Sequence, residues 1–478
     1  MIRQNLKPPL GVPIAIGMGV LSKGDQAKHW SIILKSTSMK KHLLFISAII
    51  LTACQDNTYD KIKNYLDTIE IVDAHEHQQV PADSLAFNFF NTVSYFPADL
   101  YAAGASGDFG KGGIPADSVL DGYWKYYNYC RTTSYHDQLI YTLKLLYGFK
   151  KPYLEKSDLK PLYEKMLETN YRNYPGWFDE VYNKLKIKTM LNDQYWNQFN
   201  PDIDTSYFSL VCNVNTCVTL TSEAAANKKI TSDRNLLKLM KSSEIPAANL
   251  DQYLAVVDKV LAIFKSKGVV CLKNTLAYSR TIYFEDVTYD DAVKIFDQKE
   301  PLDGAARKKL EDFVFHYIIR QSIKMQLPIQ IHTGYLAGNN TRLDNGQPMK
   351  LLNILMKYPK ARFILFHGGY PWTSDYVALG KNFSNVWLDI VWLPQISKTE
   401  AMRTFNEMLD CVPYNKYMWG GDVQRIDDVA GSLELGKEVV ATVLAERVKK
   451  GWMTEEVALD VARCIFRDNA AAVFRLNK

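Results

Sequence analysis

The sequence predicts an α/β protein built as a (β/α)8, TIM-like barrel with a helical insertion after its first strand. Three observations carry this prediction. From Ile69 onward, short apolar runs alternate with amphipathic stretches, the pattern of βα units around a parallel sheet. Eight of those runs read as strands, the number that closes a barrel. Several of them end on histidine or aspartate, at the strand ends where such barrels carry their functional groups.

Residues 1–38 show neither clean periodicity nor any link to the rest of the chain, and read as an over-extended or non-native N-terminus. Residues 39–54, MKKHLLFISAIILTAC, join two lysines to an apolar run that is too short to span a bilayer. The run ends in Leu51-Thr52-Ala53-Cys54, which resembles the lipobox of bacterial lipoproteins. Cleavage before Cys54 and its lipidation would tether the mature protein to the cell envelope outside the cytoplasm. Residues 55–478 then form the barrel. Its strands are expected at Ile69–Ala74, Ile187–Leu191, Phe208–Val214, Gly268–Leu272, Pro328–Ile331, Arg362–Phe366, Val386–Ile390 and Tyr417–Trp419. Leu250–Ser266, Ala305–Met325 and Pro348–Tyr358 are expected among the intervening helices. More than a hundred residues separate the first two strands. A structureless loop of that length is rare in a compact domain, so residues of about 80–185 are expected to be a mostly helical cap over the barrel mouth.

Composition bounds the partners. The net charge of +5 is spread over 57 basic and 52 acidic residues without a basic stripe, so nothing points to nucleic acid, and a small-molecule substrate is expected. The six cysteines after Cys54 include no CxxC pair, which argues against thiolate zinc; Cys212 and Cys217 are near enough in sequence to bridge if the fold allows.

The chemistry lies at the strand ends. Strand one runs into Asp73-Ala74-His75-Glu76-His77, and alternation puts His75 and His77 on one face, where two imidazoles can share a divalent ion. Strand five delivers His332, strand six His367 and strand eight Asp422, while Lys273 ends strand four. His136 and His316 fall in helical stretches and read as packing or surface residues.

This order resembles the amidohydrolase superfamily, in particular its amidohydrolase-related branch and the domain found in nodulin/glutamine-synthetase-type proteins. CLKNTLAYSR (Cys271–Arg280), IHTGY (Ile331–Tyr335), FHGGYPW (Phe366–Trp372) and DNAAAVF (Asp468–Phe474) carry the likeness, which extends over about Ile69 to Leu476. The resemblance implies one or two divalent ions, zinc first, held by His75, His77, Lys273, His332, His367 and Asp422. Lys273 is either a carboxylated bridge between two metals or a free ammonium contacting substrate or an acidic neighbour. Asp422 would hold a metal-bound water and move its proton, and His367 would complete a second metal site or polarise the substrate carbonyl. Tyr278 and Arg280 are expected to grip a substrate carboxylate, with Tyr335 and Trp372 shaping the pocket. The implied reaction is hydrolysis of an amide-type, ester or lactone bond in a small, carboxylate-bearing substrate. Non-oxidative decarboxylation and a non-catalytic metal-binding surface lipoprotein are the alternatives.

Overall fold

In a computed structural model of the chain, the described residues are 57–78, 95–106, 116–168 and 173–476. The predicted N-terminal extension, signal segment and Cys54 lie outside them. The eight strands are β1 Ile71–Glu76, β2 Ile187–Asn192, β3 Phe208–Asn213, β4 Cys271–Asn274, β5 Ile329–Ile331, β6 Phe363–Leu365, β7 Val386–Asp389 and β8 Tyr417–Met418. They pair in sequence order, and every neighbouring pair is parallel. Backbone bonds complete the circle from β1 to the segment after β8. The amide of Ala74 donates to the Trp419 carbonyl (3.1 Å), that of Asp422 to the His75 carbonyl (2.9 Å) and that of His77 to the Val423 carbonyl (3.0 Å).

All eight expected strands exist, with ends shifted by up to three residues. The fourth begins at Cys271 rather than Gly268, because Gly268 sits in the left-handed region at φ +83° and turns the chain into the strand. The expected helix Leu250–Ser266 forms over that span. The Asn249 side chain caps it by accepting from the Gln252 amide, and Leu250, Tyr253, Leu254, Val257, Val260, Leu261 and Phe264 bury one stripe at helical spacing. Fully burying such side chains is worth about 1.5–3 kcal/mol each.

Among the described residues between β1 and β2 stand five helices, α1 Phe96–Ala102, α2 Asp117–Cys130, α3 Ser134–Tyr147, α4 Lys156–Met166 and α5 Tyr174–Lys184. The insertion is therefore helical, as expected. It is clamped to the helix α6 Ile426–Lys449, which comes after the β8 loop. Gln138 and Thr142 donate to the backbone carbonyls of Asp428 and Asp427, while Tyr147 and Trp177 donate to the buried Asp427 carboxylate. His136 and His316 are packing residues, bonded to the hydroxyls of Tyr127 (2.7 Å) and Tyr358 (2.9 Å). Cys212 and Cys217 are both buried and both free, so the bridge that their spacing allowed is not formed. Among the described residues no helix is long and apolar enough to cross a membrane.

Candidate metal centre

Closure of the barrel brings the predicted residues together. The bond from the Asp422 amide to the His75 carbonyl sets the β8 loop against the end of β1. Gly420 is needed there, since a Cβ would meet the His75 amide nitrogen at 2.7 Å. Asp73 and Glu76 rivet the same junction from below. Asp73 accepts from the His75 and Gly421 amides (3.1 and 3.0 Å), and Glu76 accepts from the Val423 amide (2.9 Å). On the far side, Gly334 at φ +78° lies against the backbone of Gly369 and Tyr370, where a Cβ would clash at 2.5–2.7 Å. That close approach draws the β5 loop, with His332, onto the β6 loop, with His367.

Asp422 and His367 both hold left-handed backbone, at φ +58° and +61°. Such conformations cost energy and persist where surrounding contacts fix them. Here they aim two functional side chains at one point. The Asp422 Oδ1 atom lies 3.1 Å from His77 Nε2 and 3.5 Å from His75 Nε2, and its Oδ2 lies 3.9 Å from His367 Nε2. His332 joins through His367, with Nδ1 3.1 Å from His367 Nε2. Lys273 is buried beside them, its Nζ 3.2 Å from His75 Nε2 and 3.5 Å from the centre of the Phe366 ring.

Backbone carbonyls decide which nitrogens are available. His77 Nδ1 faces the Asp193 carbonyl (2.8 Å), His367 Nδ1 the Val391 carbonyl (3.0 Å) and His332 Nε2 the Tyr335 carbonyl (2.8 Å). A carbonyl only accepts, so each of these nitrogens carries the hydrogen, and in a neutral ring the other is a bare lone pair. The rings are driven towards neutrality. Burial, reinforced by the Lys273 charge, brings His332 down to about 3 and holds His75 well below its ordinary value; burial and the His332 ring likewise hold His367 well below the usual imidazole range. Burial acts on His77 in the same sense, but its contact with Asp422 outweighs it and raises that ring. The result is two bare nitrogens, on His332 and His367, facing each other at 3.1 Å, with a carboxylate alongside. Like-facing lone pairs at that distance need a cation or a shared proton. The nitrogen and oxygen donors suit a divalent ion of the zinc type.

One donor escaped the sequence reading. Asp193, just past β2, brings a carboxylate close enough for one donor atom each from His75, His77 and Asp193 to lie within 4.8 Å of one another. Asn213 at the end of β3 donates to both of its oxygens (3.2 and 3.1 Å). The signal that pointed to the histidines, a ligand-type residue close behind an apolar run, is present at Asp193 as well, one position beyond Asn192.

Arg280, expected at the substrate, has partners within the protein. The Arg280 guanidinium is held by Glu311 (2.8 Å) and Asp312 (2.7 Å), with its side chain 13% exposed, so it braces a helix rather than a ligand. Trp372 leads into the helix Thr373–Asn382, and the ring against His367 is instead Trp392, with centroids 5.2 Å apart. Tyr278 lies against the His332 ring (4.8 Å) and Tyr335 against Trp392 (5.6 Å). From the insertion, Tyr95 donates to the Asp422 carbonyl (2.8 Å) and packs on Trp392 at 4.5 Å, which ties the cap to the site.

Comparison with known proteins agrees with this architecture. An amidohydrolase family model matches residues 296–476, the segment that carries His332, His367 and Asp422. Protein fluG of Emericella nidulans is 24% identical over 236 residues, 47% of this chain, and the match spans about a quarter (27%) of that relative. Among solved structures, uronate isomerase from Thermotoga maritima superposes with a TM-score of 0.68 at 13% identity, covering 87% of this chain and 97% of its own. Glucuronate isomerase from Caulobacter crescentus gives 0.68 at 14%, covering 88% and 94%. A Lactobacillus casei protein described as a metal-dependent hydrolase gives 0.57 at 15%, covering 87% and 97%. At these identities the likeness is one of fold. Family model, closed barrel and strand-end pattern agree in supporting the amidohydrolase superfamily, whose members depend on divalent metals, with the family match itself lying in residues 296–476.

Proposed function

We propose that this chain is a metal-dependent hydrolase that cleaves an amide-type, ester or lactone bond in a small molecule. The observation that carries the reading is the convergence of carbonyl-fixed imidazoles on the Asp422 carboxylate at the barrel mouth. His75, His77 and Asp422 would hold the ion, with Asp193, His332 and His367 completing one or two sites. A bound divalent ion, zinc by donor chemistry, supplies the positive charge that polarises a carbonyl and lowers the pKa of a coordinated water.

The chain's own residues do the rest. Asp422, facing His77 with Oδ1 and His367 with Oδ2, takes a proton at its carboxylate and returns it to the leaving group. His367, locked by Val391, presents its bare Nε2 to the same space. Lys273, lowered to about 8 chiefly by burial, holds a proton that it can release near neutral pH. Tyr95, Tyr335 and Trp392 wall the cavity against water. The lipid tether at Cys54 is part of the proposal and would place the reaction at the cell envelope.

Isomerisation of a sugar acid is the second reading, prompted by the two uronate isomerase barrels. A sugar acid calls for a cation to meet its carboxylate, and with Arg280 committed to Glu311 and Asp312 that role would fall to the buried Lys273. The test is metal-loaded against chelated protein on a panel that reports hydrolysis, CO2 release and aldose–ketose exchange separately. Metal-dependent hydrolysis is the expected outcome. Turnover in either other channel alone, or none with metal bound, would overturn the assignment.

A further inference from the structure

Two tyrosines at the mouth are left uncovered. Tyr195, in the loop after β2, is 44% exposed, and Tyr278, in the loop after β4, is 48% exposed. Each stands upright on a histidine of the metal centre. The Tyr195 ring meets His77 at 5.0 Å with planes at 88°, and the Tyr278 ring meets His332 at 4.8 Å with planes at 61°. The histidines beneath them come from opposite sides of the barrel, His77 after β1 and His332 after β5, while the two rings rise from the loops after β2 and β4, with only β3 between those strands. Burial, with the Asp422 carboxylate acting on both phenols, holds their hydroxyls protonated. Tyr278 Oη already accepts from the Ala337 amide (3.1 Å), which leaves its own hydrogen to donate inward. Exposed tyrosines occur elsewhere on the surface; what sets these two apart is that each stands on a histidine of the metal centre, where its ring offers a face or edge to a planar group. The cation expected to grip a carboxylate, Arg280, is spent on Glu311 and Asp312.

We propose that Tyr195 and Tyr278 form a slot selecting a planar, ring-bearing substrate, an aryl or heteroaryl amide, ester or lactone, rather than an aliphatic acid. This rests on the metal-dependent hydrolase reading. The Tyr278 hydroxyl donates to an acceptor on the ring or on the scissile group.

Matched metal-binding probes test the slot without needing the natural substrate. Acetohydroxamate and benzohydroxamate share one metal-binding head and differ in methyl against phenyl. In the zinc-loaded protein, benzohydroxamate is expected to bind at least tenfold more tightly. Tyr195→Leu and Tyr278→Leu should each shrink that ratio to threefold or less, whereas Tyr195→Phe and Tyr278→Phe should keep it, and metal content is measured in every sample. Equal binding of the two probes to the wild type, or a ratio unchanged in both leucine variants, would refute the slot while leaving the metal centre standing. Failure of both probes to bind protein that contains zinc would instead remove the hydrolase reading, and the slot with it.

Discussion

Replacing Asp422 by asparagine isolates its chemistry from its architecture. The backbone there is left-handed at φ +58°, a region that asparagine tolerates as readily as aspartate, whereas alanine would add strain. Both bonds that fix the loop, from the Asp422 amide to His75 and from Tyr95 to the Asp422 carbonyl, use backbone atoms of Asp422 that the substitution preserves. What disappears is a carboxylate whose Oδ1 lies 3.1 Å from His77 and 3.5 Å from His75. A positioned base is commonly worth about 10²–10⁴ in rate. At about 1.36 kcal/mol per factor of ten, that is roughly 2.7–5.5 kcal/mol of barrier. The assay is kcat on any substrate the wild type turns over, with metal content measured in the same preparation, because an amide is also a poorer ligand than a carboxylate. A metal-loaded Asp422→Asn protein within tenfold of wild type would refute the role of Asp422 and point to His367 as the proton carrier.

Four further outcomes are expected. Asp193→Asn should weaken metal binding, read by competition with a chelator, and retention at wild-type affinity would remove Asp193 from the donor set. Arg280→Met should destabilise the fold by about 3 kcal/mol, because Glu311 stays buried without its cation while Asp312 keeps Lys308, and a urea midpoint at the wild-type value would contradict this. In metal-free protein Lys273 is lowered from 10.5 to about 8, so between those values the unfolded chain holds a proton that the folded one lacks, and stability rises with pH; below about 8 both states are protonated and the burial penalty stands in full. Lys273→Met should flatten that rise in urea midpoints taken at pH 8 and pH 10. Finally, Cys54→Ala should shift the protein out of the membrane fraction, and unaltered attachment would dispose of the lipid anchor.

Where each signal resides decides whether the sequence discloses it. The barrel was legible because its strands are short apolar runs and its helices are amphipathic: Ile187–Leu191 and Leu250–Ser266 announce themselves by composition and period. The donors were legible because they lie at or within a few residues of the ends of such runs. Asp193 obeys the same rule but sits in LNDQYW, where an Asn-Asp pair also reads as an ordinary turn.

The misplaced residues share a different cause. Arg280 in a loop looks free until the helix carrying Glu311 and Asp312 is folded against it, and no local pattern links positions some thirty residues apart. Trp372 and Trp392 come after adjacent strands with similar credentials, and only the left-handed turn at Trp392, φ +62°, swings that ring onto His367. The deeper limit concerns the imidazoles. Their identity is written in the sequence, but which nitrogen each offers is set by the carbonyls of Asp193, Tyr335 and Val391. Every residue has a carbonyl, so this part of the metal centre has no residue signature. It is produced by the barrel's closure, and a substitution that leaves every ligand in place but shifts one of those three peptide groups should therefore disable the site as surely as removing a histidine.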